Sequence, residues 1–129
     1  MMALSDADQQ QIRAVIRQAD ELATARDVDG YLALTTPDMV LDGTQGSASG
    51  REAVRAAIVR IWAAEPPGTR HLTGDITLEA GAEGTARARS TLSLETGGSD
   101  DVLAVATISQ TLRKTDGKWL IARRSVSNS

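Results

Sequence analysis

The sequence predicts an α+β domain, with helices packed on one face of an antiparallel sheet. Three observations carry that expectation. Apolar residues recur at helical spacing through the first half of the chain, as in Ile12, Val15, Ile16 and Ala19. From Thr69 onward the period falls to two, as in Ala86, Ala88, Ser90, Leu92 and Leu94. The later strands are separated by short turn segments, Gly81-Ala82-Glu83-Gly84 and Thr115-Asp116-Gly117-Lys118, the second holding the Asp-Gly pair that two-residue hairpins favour.

Each element follows in order. Ser5 caps a first helix of about twenty residues whose buried stripe is Ile12, Val15, Ile16, Ala19, Leu22 and Ala23. Asp27 caps a short second helix with Val28, Tyr31, Leu32 and Leu34 on its apolar side. Thr36-Pro37-Asp38 stops it, because the residue before a proline is pushed out of the helical region. Met39 to Gly43 reads as a strand and Thr44 to Ala48 as a polar loop. Ser49-Gly50-Arg51-Glu52 has the form of a capping box that opens a third helix, with Val54, Ala57, Ile58, Ile61 and Trp62 facing inward. Pro66-Pro67-Gly68 ends that helix. Strands then run from Arg70 to Glu79, Thr85 to Glu95, Asp101 to Arg113 and Trp119 to Val126, with a loop at 96–100. The strand beginning at Asp101 is apolar or neutral on both faces. A sheet with one solvated face alternates more cleanly, so the second face is expected to meet another copy of the chain.

Composition narrows the function. One domain, residues 1–129, is the expectation for 129 residues. A net charge of -3 excludes a general binder of nucleic-acid backbone, which needs a basic face. No run of apolar residues is long enough to span a membrane, and no basic and apolar leader precedes Ser5, so a cytoplasmic protein is expected. Zero cysteines exclude disulfides, thiolate nucleophiles and cysteine metal sites. The only aromatics are Tyr31, Trp62 and Trp119, so any pocket must be walled mainly by aliphatic side chains.

The element order resembles the NTF2-like superfamily, and within it the SnoaL-like and ketosteroid-isomerase-like proteins. The residues that carry the resemblance are Ala25-Arg26-Asp27-Val28-Asp29-Gly30-Tyr31-Leu32, then Pro37 to Gly43 followed by Gly50-Arg51-Glu52-Ala53-Val54, then Asp116 to Ile121 with Arg123-Arg124. It spans about residues 6–127 and implies a curved sheet wrapped around the N-terminal helices as a conical pocket. This superfold hosts isomerases, dehydratases, cyclases and non-catalytic proteins, so the resemblance fixes fold better than chemistry.

Two residues stand out as catalytic candidates. By resemblance Asp42 matches a general base at a strand end, and burial beside an apolar cavity raises a carboxyl pKa into a useful range. The same residue also suits the start of a turn before Gly43. His71 is the sole histidine, and its setting resembles the base strand of SnoaL-like dehydratases. There the resemblance implies a first-helix Asp partner, but Thr24 occupies that position; Asp20 and Asp42 are the carboxylates that would substitute. A purely structural histidine is the competing reading. Ala19 and Ser109 stand where the resemblance places the isomerases' oxyanion donors, which argues against ketosteroid-type isomerisation. Tyr31, Trp62, Ser109 and Arg123 are the candidates for contact with substrate. Arg123 and Arg124 point to opposite faces of one strand, so one of them can enter the pocket. A lone histidine without an acidic partner at i+4 is a poor metal site, and neither metal nor cofactor is expected. The sequence thus predicts a homodimeric small-molecule pocket protein. It is either an acid–base enzyme (isomerase, dehydratase or cyclase) on a small apolar substrate, or a binding or assembly module without chemistry.

Overall fold

A computed structural model describes residues 4–44, 46–96 and 102–128. Gln45, the expected loop residues 97–100, Asp101 and the chain ends lie outside the described residues. The elements are α1 (Asp6–Thr24), α2 (Val28–Leu32), β1 (Thr35–Gly43), β2 (Gly46–Ser49), α3 (Arg51–Ala63), β3 (Arg70–Ala80), β4 (Thr85–Glu95), β5 (Val102–Thr115) and β6 (Lys118–Asn128). They build one curved, unclosed sheet in the order β2-β1-β6-β5-β4-β3, with the helices on its inner side. The predicted α+β class and the wrapped, cone-like arrangement are both present.

The helices start where the sequence says, except one. Ser5 accepts from the Asp8 amide at 3.0 Å, and Asp27 accepts from the Gly30 amide at 2.9 Å. The stripe Ile12, Val15, Ile16, Ala19 and Ala23 is buried against β3 and β6. At α3 the capping box does not form. Gly50 is the N-cap, at φ 87° and with no side-chain cap, while Ser49 belongs to β2 and sits opposite Val40. The Gly50 amide instead donates to the Met39 carbonyl at 2.8 Å, so pairing with β1 replaces the cap. Residues 46–48, expected as loop, join Ser49, expected as the cap, in this short edge strand because β1 offers it free backbone groups.

A second difference concerns direction. The sheet is mixed: β1 runs parallel to β6, whereas every other neighbouring pair is antiparallel. Strand β1 also begins at Thr35, earlier than expected, with Pro37 exposed beside a break in the register between Thr35 and Val40. Proline is tolerated there because no ladder hydrogen bond is asked of it.

Strand register fixes which side chains face inward. On the inner face Ala88 lies opposite Gln110, which lies opposite Arg124, which lies opposite Leu41. On the outer face Arg89 lies opposite Ser109, which lies opposite Ser125, which lies opposite Asp42. Register shifts within β3 (between Gly74 and Thr77) and between β5 and β6 (between Thr111 and Leu112) bend the sheet. The bend leaves room between the inner face, α1 and α3.

Candidate functional site

That room is a cavity of about 360 Å³. Its walls are mostly small and aliphatic, including Ala23, Leu41, Ile58, Leu92 and Val126, which follows from the near absence of aromatics. Charge enters it at five residues: Asp20 on α1, Arg60 on α3, Glu65 just beyond α3, His71 on β3 and Arg124 on β6.

His71 is 7% exposed. Its Nε2 lies 2.9 Å from Oε1 of Glu65, and the same carboxylate oxygen pairs with Nη1 of Arg26 at 2.9 Å. Nη1 of Arg26 also stands 3.4 Å from Nε2; in the tautomer that carries its proton on Nε2, the shorter contact is a donation to Glu65 and Nδ1 keeps the free lone pair. The backbone brings these groups together. Pro66-Pro67-Gly68 turns the chain sharply after α3, with Gly68 at φ 79°, and the Thr69 hydroxyl and amide both donate to the Pro66 carbonyl. Glu65 and His71 thus face each other across a tight turn. The His71 amide donates to Thr24 Oγ1 at 2.9 Å, so Thr24 anchors β3 to the end of α1 instead of partnering the ring. Trp62 stands edge-on to His71, with centroids 6.4 Å apart, and Tyr31 packs edge-on to Trp62 at 5.8 Å.

Glu65 occupies a costly place. It is largely buried and sits at the C-terminal end of α3, where the helix dipole disfavours negative charge. Arg26 offsets that cost from just past the C-cap of α1, held there by donation to the Ala23 carbonyl at 2.9 Å. Asp20 is the second carboxylate in the cavity. Burial pushes its carboxyl above the ordinary range, against hydrogen bonding from Thr73 and the fields of Arg124 and His71, which pull the other way.

The sequence-derived candidates divide by face. His71, Tyr31 and Trp62 line the cavity together. Asp42, Ser109 and Arg123 do not: they lie on the outer face, where Arg123 pairs with Asp42 and Ser47 donates to the same carboxylate. The Ser47 hydrogen bond and the Arg123 guanidinium hold the Asp42 carboxyl below the ordinary range, which suits a permanent anion and not a neutral-pH base. The structure separates Asp42 from His71 by the thickness of the sheet, with Leu41 and Gly43 facing the cavity in its stead. Arg124, the alternative to Arg123, is the arginine that enters. Glu65 and Arg26 carried no sequence signal as site residues, because no regular spacing links Arg26, Glu65 and His71. Among the described residues no cluster of three His, Asp or Glu side chains is placed to hold a metal, and no helix is long and apolar enough to cross a membrane.

Solved structures share this architecture. A protein of cystatin-like fold from Nostoc punctiforme superposes with a TM-score of 0.91 at 24% identity, covering 99% of this chain and 96% of that one. An NTF2-like protein from Novosphingobium aromaticivorans gives 0.80 at 25% identity, covering 95% and 82%. ActVI-ORFA from Streptomyces coelicolor gives 0.83 at 17% identity, covering 94% and 97%. No curated protein matches the sequence. The family model of the SnoaL-like domain matches residues 6–125, and the chain belongs to that family.

Proposed function

We propose that this chain is an acid–base enzyme that moves protons on a small, mainly apolar molecule, with His71 as base and Asp20 as acid. The observation that carries the reading is the buried His71–Glu65 pair, backed by Arg26 and opening on an aliphatic cavity. Desolvation strengthens such a pair, and a fixed carboxylate both selects the tautomer and stabilises the imidazolium formed on proton uptake. In a dehydration, Nδ1 of His71 takes the proton from a carbon beside a carbonyl. The carbon–oxygen bond at the adjacent carbon then breaks, and the departing hydroxide leaves as water with the Asp20 proton. In an isomerisation, Asp20 returns a proton to a different carbon. Both routes use a carboxyl that burial keeps more protonated than usual.

The test uses an enolisable apolar ketone, 2-tetralone, in heavy water, with deuterium incorporation followed by proton NMR. Wild type should exchange the activated methylene faster than buffer, and His71→Ala should lose that rate. Glu65→Gln should lower it by about 10²-fold. A wild type that binds the ketone yet exchanges no faster than buffer would sink the enzyme reading. That result would favour a binding module of the same fold, the reading that the loss of a carboxylate at Thr24 supports. We also propose that the chain works as one domain and pairs with a second copy through its sheet.

A further inference from the structure

We propose that the cavity selects ligands carrying an acidic oxygen, such as a carboxylate or an ionisable enol or phenol, and that Arg124 binds that oxygen. The inference rests on the function proposed above and names the substrate class of the same site.

Arg124 lies on the inner face of β6 and lines the cavity. Its guanidinium makes no hydrogen bond or ion pair with any described residue, whereas Arg26, Arg55, Arg70, Arg87, Arg113 and Arg123 each have a carboxylate. Its cross-strand neighbour sharpens the point. Gln110 is directly opposite Arg124 on β5, is 3% exposed, and its Oε1 has no donor. Directly opposed side chains start about 5 Å apart. An arginine turned along the sheet would satisfy that buried oxygen, and this one does not, while it does line the cavity.

The surrounding charges leave Arg124 available. Asp20 is the carboxylate whose field it shares, yet the two are not in ion-pair contact, and Asp20 bonds to Thr73 instead. Glu65 is committed to Arg26 and His71. Arg60 is the other cation at the cavity wall and is exposed on α3, where water screens it. Arg124 is half-buried, and a ligand that brings an anion to it in fork geometry gains a charge-assisted pair. The remaining walls are apolar. The matching ligand is an aliphatic or aromatic body with one acidic oxygen, its reactive carbon held between Arg124 on β6 and His71 on β3. For a carbonyl substrate, Arg124 would also receive the negative charge that develops on oxygen as His71 removes the proton.

The test compares 2-naphthoate with 2-naphthamide, bodies of like shape that differ in charge, by calorimetric titration of the wild-type protein. Naphthoate should bind at least about tenfold more tightly than the amide and should shift the single His71 ring signal. Arg124→Met should bind the two alike, and Arg124→Lys should keep part of the preference, whereas Arg60→Met should keep all of it. Equal affinities in wild type, no binding of naphthoate, or a preference that follows Arg60 instead of Arg124 would each overturn the assignment. The two proposals fail separately. A preference without ketone exchange leaves an anion-selective pocket that is not catalytic; exchange without a preference leaves the enzyme and removes Arg124 as the anion site.

Discussion

Arg26 stands at φ 61°, a left-handed conformation that side chains other than glycine seldom adopt. Such a residue costs on the order of 1 kcal/mol and persists where its surroundings demand it. Here the demand is the carboxylate of Glu65, which would otherwise be buried beside His71 without a cation. Arg26→Gly should therefore relieve the backbone while removing the guanidinium. Its stability should fall, because the unpaired Glu65 costs more than the about 1 kcal/mol of backbone strain relieved, and the ketone exchange of the folded protein should fall by at least about tenfold. A folded variant that exchanges at the wild-type rate would leave Arg26 a structural role alone. Asp20 makes a prediction of opposite character. Its folded pKa is raised, so the native state holds this proton more tightly than the unfolded chain. Stability from this group is then fullest at low pH and declines as pH rises from the unfolded value through the raised one. Asp20→Asn should melt higher than wild type at neutral pH, with the advantage shrinking near pH 4, while losing the exchange reaction. An advantage independent of pH would contradict the burial of that charge.

The same scale shows why part of the site was illegible. Asp42, Ser109 and Arg123 are all one residue away from inner-face positions: Leu41, Gly43 and Arg124, which line the cavity, and Gln110, which lies opposite Arg124. Strand side chains alternate, so a one-residue step in register exchanges the faces. Nothing in the polar and small residues of β5 and β6 fixed that parity. His71, Tyr31 and Trp62 were legible because flanking apolar residues anchor their faces. Glu65 became a partner only through the Pro66–Gly68 turn.

Among elements, the clearest agreement is the final hairpin. Asp116 and Gly117 both take positive φ, 52° and 78°, between Thr115 and Lys118, as a two-residue turn matched to strand twist requires. A Cβ at Gly117 would meet nothing within 4 Å, so Gly117→Ala tests the backbone alone. It should cost about 1 kcal/mol by urea unfolding, shifting the midpoint with no change in slope. The hairpin is also tied to α1. Trp119 donates Nε1–H to Asp8 at 3.0 Å and its amide to Gln11 at 2.7 Å, and Lys114 pairs with Asp8. Strand β2 was missed for a physical reason: Gly46-Ser47-Ala48-Ser49 has weak strand preference and is held by pairing with β1. The false capping box at Ser49 has the same origin, since a residue engaged in a strand ladder cannot also cap.

At the scale of the whole molecule, the proposed pairing with a second copy falls on the outer face of the sheet. Its centre is a field of short polar side chains, Thr107, Ser109, Thr111 and Ser125, bounded by Arg87–Glu79, Arg113–Asp38 and Arg123–Asp42. Exposed ion pairs add little stability, but they neutralise the rim, so two copies with a net charge of -3 each can approach there without strong repulsion. One end of the face is apolar: Leu72 and Val105 are 44% and 43% exposed and flank Ser93 on adjacent strands, with Leu103 beside them. Apolar side chains grouped at a sheet edge invite pairing. A second copy related by a two-fold axis would cover both ends at once, since such an interface repeats each contact. Light scattering at micromolar concentration should give twice the monomer mass, and Leu72→Glu with Leu103→Glu, two exposed apolar side chains of that face, should return it to one. A wild type of monomer mass would overturn the dimer. Because Leu72 and Leu103 are not among the residues that line the cavity, the monomeric variant should still prefer naphthoate to naphthamide, which separates assembly from ligand choice.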